Sequence, residues 1–253
     1  MDTGVVSWEF RVSVAVAEEM NATLVRTSYS PNIKDRRDCS CALFDADAEM
    51  ISQAENIPVH LGAMPYSVAA AIEAFPTDDL TDGDAILLND PFHGGAHLPD
   101  LTLVSPIVVD GDVAAFAANR AHHADIGGSR AGSLRIPPVR LFRGGEVDDD
   151  VMSMVLANVR TPDERRGDLR AQHAANRTAD ARFRDLVDSH GRETLGELMN
   201  DIKDYSERRM RAELAAFPDG RYTFEDVLDD DGQGTEDVRI AVAVTVDGEE
   251  LTV

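Results

Sequence analysis

Residues 89 to 100 read NDPFHGGAHLPD, a segment too rich in glycine and proline for a long helix or strand, yet holding two histidines and two aspartates. Five of the seven histidines fall between positions 60 and 123: His60, His93, His97, His122 and His123. His97 and Asp100 stand three apart at the start of the apolar run DLTLVSPIVV, and His122 follows the run AAFAANR. Asp110-Gly111 between the two runs is a tight-turn signal, so the spacing predicts an antiparallel hairpin. The start of one strand then lies beside the end of the other, and His97, Asp100 and His122 meet. Two imidazoles and a carboxylate suit zinc, manganese or iron and leave coordination positions open for water or substrate. The competing reading is that these histidines bond loop carbonyls and the aspartates cap turns. That reading is preferred for His173 and His190, both on helix-patterned segments.

Other candidates are open in the same way. Asp38, just before the run CALFD, is a fourth ligand or a turn cap. An unperturbed imidazole titrates near neutral pH, so His60 is an acid–base candidate or a loop anchor. Arg120 holds a carboxylate or pairs with an acidic neighbour. His93 has no partner at a matching spacing and is the weaker ligand. Cys39 and Cys41 are expected on a strand with side chains on opposite faces, as core residues and not a disulfide or zinc knuckle. No GxSxG motif points to a serine hydrolase.

The elements that position these residues follow from periodicity. Trp8, Val12, Ala15, Val16, Met20, Leu24 and Thr27 step by three and four, which predicts a helix over about 7–28. A hairpin is expected from CSCALFD and residues 50–53, then a helix from about Pro65 to Phe75, then strands at DAILLND and the two runs above. The Gly- and Pro-rich residues 127–149 are expected to form an extended loop. Beyond it, two helical patterns separated by Gly191 suggest an antiparallel helix pair, followed by two strand-like runs. The expected class is α+β (mixed α/β): a strand-rich, metal-bearing region over 1–150, then the helix pair and the start of a β region over 151–253, apparently truncated.

Composition narrows the partners. The 253 residues carry 47 acidic and 24 basic side chains, a formal charge of −23, which disfavours a nucleic-acid partner. No apolar run is long enough to span a bilayer, and the start MDTGVVSWEFRV is unlike a secretory signal, so no membrane partner and a cytoplasmic location are expected. Aspartate outnumbers glutamate 31 to 16 and only Lys34 and Lys203 supply lysine, with the acid groups spread along the chain. Such self-repulsion is offset by high salt, which predicts a halophilic source.

Several segments also resemble the hydantoinase B/oxoprolinase family: SYSPNIKDRRDCSCALFDAD, QAENIPVHLGAMP, LLNDPFHGGAHLPDLTLVSPI, NRAHHADIGG, RIPPVRL and GDLRAQHAANR. The resemblance implies a B-type subunit that works with an ATP-binding A-type subunit to open a small cyclic amide, a hydantoin, 5-oxoproline or related lactam. On this implication ATP phosphorylates the amide oxygen on the partner subunit, and metal-activated water attacks the activated carbon. Matched motif by motif, it implies His97, Asp100 and His122 as metal ligands with Asp38 a fourth, and His60, His123 and Asp125 as supporting or proton-transfer residues. An acetone-carboxylase-like subunit and a non-catalytic truncated paralogue or assembly module are the alternatives. Two departures stand out: GSLRIPPV lacks an insertion that family members carry, and the chain is shorter than they are. A further chain supplying the C-terminal half is therefore an expected partner.

The charge reading has a direct check. Thermal melting with and without molar KCl should show a clear rise in midpoint with salt, and an unchanged midpoint would remove the halophilic expectation.

Overall fold

The computed structural model describes residues 3–54, 56–128 and 133–253, with side chains from residue 12 onward. Trp8 and the Gly-Ser junction of the shortened loop lie wholly or partly outside what is described. Two compact units divide at Met199/Asn200.

The first unit is built on a seven-stranded sheet with antiparallel pairing throughout, in the order β2-β1-β5-β4-β3-β6-β7. Its strands are β1 (Cys39–Asp45), β2 (Met50–Ala54), β3 (Ala85–Leu88), β4 (Asp100–Val109), β5 (Asp112–His122), β6 (Val139–Arg143) and β7 (Glu146–Val147). Its helices are α1 (Thr3–Thr27), α2 (Pro31–Lys34), α3 (Pro58–Ala74), α4 (Asp149–Ala157) and α5 (Pro162–His190). α6 (Arg192–Leu214) begins in this unit and continues into the second.

Side chains of a strand alternate between faces, and here the alternation sorts the molecule into two layers. Odd-numbered residues of β1, β4 and β5 (Cys39, Cys41, Leu43, Ile107, Ala115, Ala117 and Ala121) pack against Val16, Met20 and Leu24 of α1 and Ala171, Ala175 and Phe183 of α5. The alanines leave room for two long helices to approach the sheet. Even-numbered residues, Ala42, Phe44, Val104, Phe116 and Ala118, pack against Leu61, Met64, Val68 and Ala71 of α3. Met152, Val155 and Leu156 of α4 join Leu169 of α5 over Leu87, Leu101, Leu103 and Leu141.

α5 is also docked by amides. Asn119 of β5 donates to Asn176 Oδ1 at 2.7 Å, Gln172 Nε2 donates to the Leu101 carbonyl at 2.9 Å, and Asn176 Nδ2 donates to the Leu103 carbonyl at 3.1 Å. Asp168, one turn before Gln172, accepts the Tyr29 and Ser30 N–H groups and pairs with Arg165. Asp168, Gln172 and Asn176, spaced by four, thus tie one face of α5 to the sheet and to the start of α2, satisfying groups that would be costly if buried unpaired.

Several expectations change. Cys39 and Cys41 share one face, because residues two apart on a strand must; both thiols are buried, and burial pushes Cys39 up to about 12. The helix expected from Pro65 begins at Pro58, since proline at the first helical position needs no N–H partner, and it runs on through Pro65. Residues 127–149 are no continuous loop: Val139–Arg143 pairs with β3, and Asp148 caps α4 by accepting the Val151 N–H. The helix running along α5 is α1; α6 adds Leu195, Leu198 and Met199 to the same cluster, in place of the expected antiparallel pair. The change of character at residue 150 does not divide compact units, because α4 and α5 bury their apolar faces on the sheet.

The second unit, Asn200–Val253, contains the rest of α6 and a three-stranded sheet of β8 (Gly220–Asp230), β9 (Glu236–Asp247) and β10 (Glu250–Thr252) in the order β10-β9-β8. The last strand-like run of the sequence is therefore two strands, folded back at Gly248 (φ 60°).

His173 stacks on Phe142 with ring centroids 3.8 Å apart, and burial, with the Arg177 charge, pushes its pKa down to about 4. A histidine that is harder to protonate in the folded state binds fewer protons there, so stability is complete above about 6.5 and declines as pH falls toward 4. His173→Phe keeps the stacked ring and removes the proton. Urea unfolding at pH 7 and pH 5 should show a smaller acid loss in this variant than in the parent, by on the order of 1 kcal/mol; equal losses would refute the assignment.

Candidate metal centre

Strand register places the site. Asp110 (φ 55°) and Gly111 (φ 91°) both adopt positive φ, the conformation of a two-residue hairpin turn that suits Asp-Gly. The turn pairs Val109 with Asp112 and Val108 with Val113; a bulge between Ile107 and Val108 then takes up one extra residue of β5, and this shift sets Asp100 opposite His122 and Thr102 opposite Arg120. All four are even-numbered and face α3, as does Ser40 of β1, opposite Arg120 on its other side.

His122 Nδ1 lies 2.8 Å from Asp100 Oδ1. The His97 ring centroid lies 5.5 Å from that of His122. One donor atom from each of His97, Asp100 and His122 falls within 4.8 Å of the others, among the described residues the group of His, Cys, Asp or Glu side chains that can hold an ion. Backbone bonds fix the three carriers: the Asp100 N–H donates to the His97 carbonyl at 2.8 Å, and the His122 N–H donates to the Asp38 carbonyl at 2.9 Å. Asp100 is buried, His122 half-buried and His97 exposed, so the group opens outward on its His97 side. Two imidazole nitrogens and one carboxylate oxygen at this separation fit a first-row divalent cation with positions left for water or substrate.

The second oxygen of Asp100 faces His60. His60 Nε2 is 3.6 Å from Asp100 Oδ2 and 3.8 Å from Asp38 Oδ1, and its Nδ1 is 3.4 Å from Ser40 Oγ. His60 is 3% exposed, held in the first turn of α3 between the helix and the sheet. Burial lowers its pKa, with the Arg120 charge adding to the effect against the pull of Asp100 and Asp38, so it favours the neutral imidazole. Burial pushes the Asp100 carboxyl upward, but the His122 hydrogen bond and the charges of His60, His122 and Arg120 outweigh it, and the group stays ionised below the usual range. The same hydrogen bond from Asp100 raises His122. A metal ion entering here therefore competes with the His122 proton.

The structure brings together His97, Asp100, His122, Asp38 and His60. It separates the others. His123 follows β5 on the α5 side, 1% exposed, with Nε2 3.0 Å from Gln172 Oε1. Because Gln172 Nε2 is committed to the Leu101 carbonyl and to Asn119 Oδ1, its oxygen must accept from His123. Asp125 caps a turn, taking the Gly127 N–H and pairing with Arg160. His93 Nδ1 bonds Asp90 Oδ2 at 2.9 Å, outside the group. Ser67 of α3 and Thr102 were not singled out from the sequence. Arg120 was, without a location; its even position, two before His122, would have placed it on the site's face.

Comparisons with known proteins place the chain in a family. The hydantoinase B/oxoprolinase profile matches residues 10–253. The chain is 34% identical over 247 residues to the caprolactamase beta subunit of Pseudomonas jessenii, an alignment that takes in 93% of this chain and 42% of that protein. It is 32% identical over 258 residues to the B-type subunit of a putative D-/L-hydantoinase of Pseudomonas sp. (strain NS671), covering 94% of this chain and 44% of that one. The crystal structure of the ATP-dependent caprolactamase from Pseudomonas jessenii superposes with a TM-score of 0.91 at 32% identity, over 99% of this chain and 45% of that chain. The chain thus spans less than half the length of these relatives. With the profile matching almost its whole length, the chain belongs to the hydantoinase B/oxoprolinase family.

Proposed function

We propose that this chain is the metal-bearing B-type part of an ATP-dependent cyclic-amide hydrolase, acting with an ATP-binding A-type subunit that activates the ring amide. The observation that carries the reading is the convergence of His97, Asp100 and His122 in a chain similar to a caprolactamase beta subunit. A divalent metal held by these three residues, with Asp38 beside them, would supply Lewis acidity and an acidified water.

The remaining groups have tasks that their surroundings support. His60, neutral and with Nε2 directed at the two carboxylates, can take a proton from an attacking water and return it to the leaving nitrogen. Ser40 orients its other ring nitrogen. Asp38, with its side chain 31% exposed, can meet either the metal or the substrate. His123 and Asp125 act in this reading as supports for α5 and the 125–127 turn. Because the chain spans less than half of its relatives, ring opening is assigned to the assembly of this chain, the A-type subunit and the remaining family region. No helix among the described residues is long and apolar enough to cross a membrane.

Metal analysis of the purified chain tests the centre. We expect about one equivalent of divalent metal, lost in Asp100→Asn and His122→Ala, reduced by weaker binding in His97→Ala and retained in His93→Ala. In the reconstituted complex, His60→Gln should keep its metal while ATP-dependent opening of caprolactam, hydantoin or 5-oxoproline slows by about a hundredfold or more. Metal content below one equivalent and indifferent to His97→Ala would count against the centre. Unchanged turnover in His60→Gln would remove it as the proton carrier.

A further inference from the structure

Arg120 is a cation buried between α3 and the sheet, and it is bonded to hydroxyl groups. Nε donates to Thr102 Oγ1 at 2.8 Å, Nη2 donates to Ser67 Oγ at 2.6 Å, and Nη1 is buried without a hydrogen-bond partner. Ser67 is itself fully buried on α3. A guanidinium can only donate, so Ser67 Oγ accepts from it, and the one hydroxyl proton is left for the carbonyl of Gly94. A continuous path therefore runs from β4 through Thr102, Arg120 and Ser67 to the backbone of the segment that carries His97.

Glycine makes that contact possible. Gly94 has φ 79°, and a Cβ there would come within 2.4 Å of the Tyr66 carbonyl oxygen, so only glycine lets the segment lie against α3. His97 is then held from two sides. Three residues before it the chain is fixed at Gly94, and its own carbonyl accepts the Asp100 N–H. Its side chain is exposed and has no hydrogen bond of its own among the described residues, so its place beside Asp100 and His122 depends on how the backbone is anchored. Burying a guanidinium away from water is costly, and the nearby Asp100 charge, which makes no direct ion pair with it, offsets only part of that cost. That cost has a reason if the group locks together the three elements that bear the site: α3 with His60, the 89–99 segment with His97, and the hairpin with Asp100 and His122.

We propose that Arg120 and Ser67 are positioning residues for His97, setting the 89–99 segment so that this imidazole reaches the metal held by Asp100 and His122. The proposal rests on the metal centre advanced above. It extends that centre to two residues that touch neither metal nor substrate, and it assigns the buried arginine a mechanical task.

The test is a cycle of Co2+ binding to the full chain, using Ser67→Ala, Arg120→Met, His97→Ala and the double variant Ser67→Ala/His97→Ala. Ser67→Ala and Arg120→Met should each weaken Co2+ binding about tenfold and give the altered visible spectrum of His97→Ala. The double variant should bind no more weakly than His97→Ala alone, because the relay acts only through that ligand. Wild-type affinity and spectrum in Ser67→Ala would overturn the proposal, as would a full further tenfold loss in the double variant. Hydrogen exchange of residues 89–99 in the metal-free chain separates the two ideas. Faster exchange in Ser67→Ala supports the relay even if the parent takes up no Co2+, a result that would sink the metal reading alone. Unchanged exchange together with no Co2+ uptake would sink both.

Discussion

The register of the β4–β5 hairpin is the constraint on which the rest depends. The two-residue turn at Asp110-Gly111 and the bulge just beyond it together set Asp100 opposite His122, and the strand period of two then assigns every neighbouring side chain to one layer or the other. Slipping β5 by one residue against β4 would turn Arg120 and His122 away from Asp100, Thr102 and α3 and bring Ala117 and Ala121 to that face in their place. The apolar packing of α1 and α5 and the chemistry under α3 are thus two consequences of one pairing. Register is held from both sides, since β5 also pairs along its whole inner length with β1.

Asp100 is the electrostatic centre of the even-numbered layer. Its carboxylate is buried, which alone would favour protonation, yet His122, His60 and Arg120 surround it and keep it ionised. Each of those groups arrives from a different part of the chain: His122 and Arg120 from β5, His60 from α3. The carboxylate is shared, one oxygen toward His122 and the other toward His60. This division puts the candidate metal group and the proposed proton carrier on either side of one side chain. It also explains why the neutral form of His60 and the ionised form of Asp100 occur together at close range.

The odd-numbered layer is polar where α5 crosses the sheet. Asn119, Gln172, Asn176 and His123 form a fully buried set whose hydrogen bonds reach the Leu101 and Leu103 carbonyls. The three amides are paired and only His123 Nδ1 of this set lacks a partner, so the network specifies one docking position for the helix. α5 is thereby held directly behind the strands that carry Asp100 and His122. The caprolactamase structure superposes on 99% of this chain, so the two share their fold.

Much of this was legible in the sequence for local reasons. The Asp-Gly turn between two apolar runs fixed the hairpin and brought the strand ends that carry His97, Asp100 and His122 side by side; counting from the turn alone pairs Asp100 with Ala121, and the bulge that shifts the partner to His122 shows only in the structure. Gly191 marked the end of α5, where φ is 84°. The same counting should have put Cys39 beside Cys41 on one face and His123 opposite His122. Other features depend on contacts between segments far apart in the chain. Pairing of residues 139–143 with β3 gives strand structure to a Gly- and Pro-rich stretch with no pattern of its own, and α1, not α6, lies along α5 because the alanine-lined sheet leaves room for both. Ser67 looked like one more small residue of α3. Only the tertiary structure places its hydroxyl between Arg120 and Gly94, because a hydrogen bond spanning 53 residues on one side and 27 on the other leaves no periodic trace in the sequence.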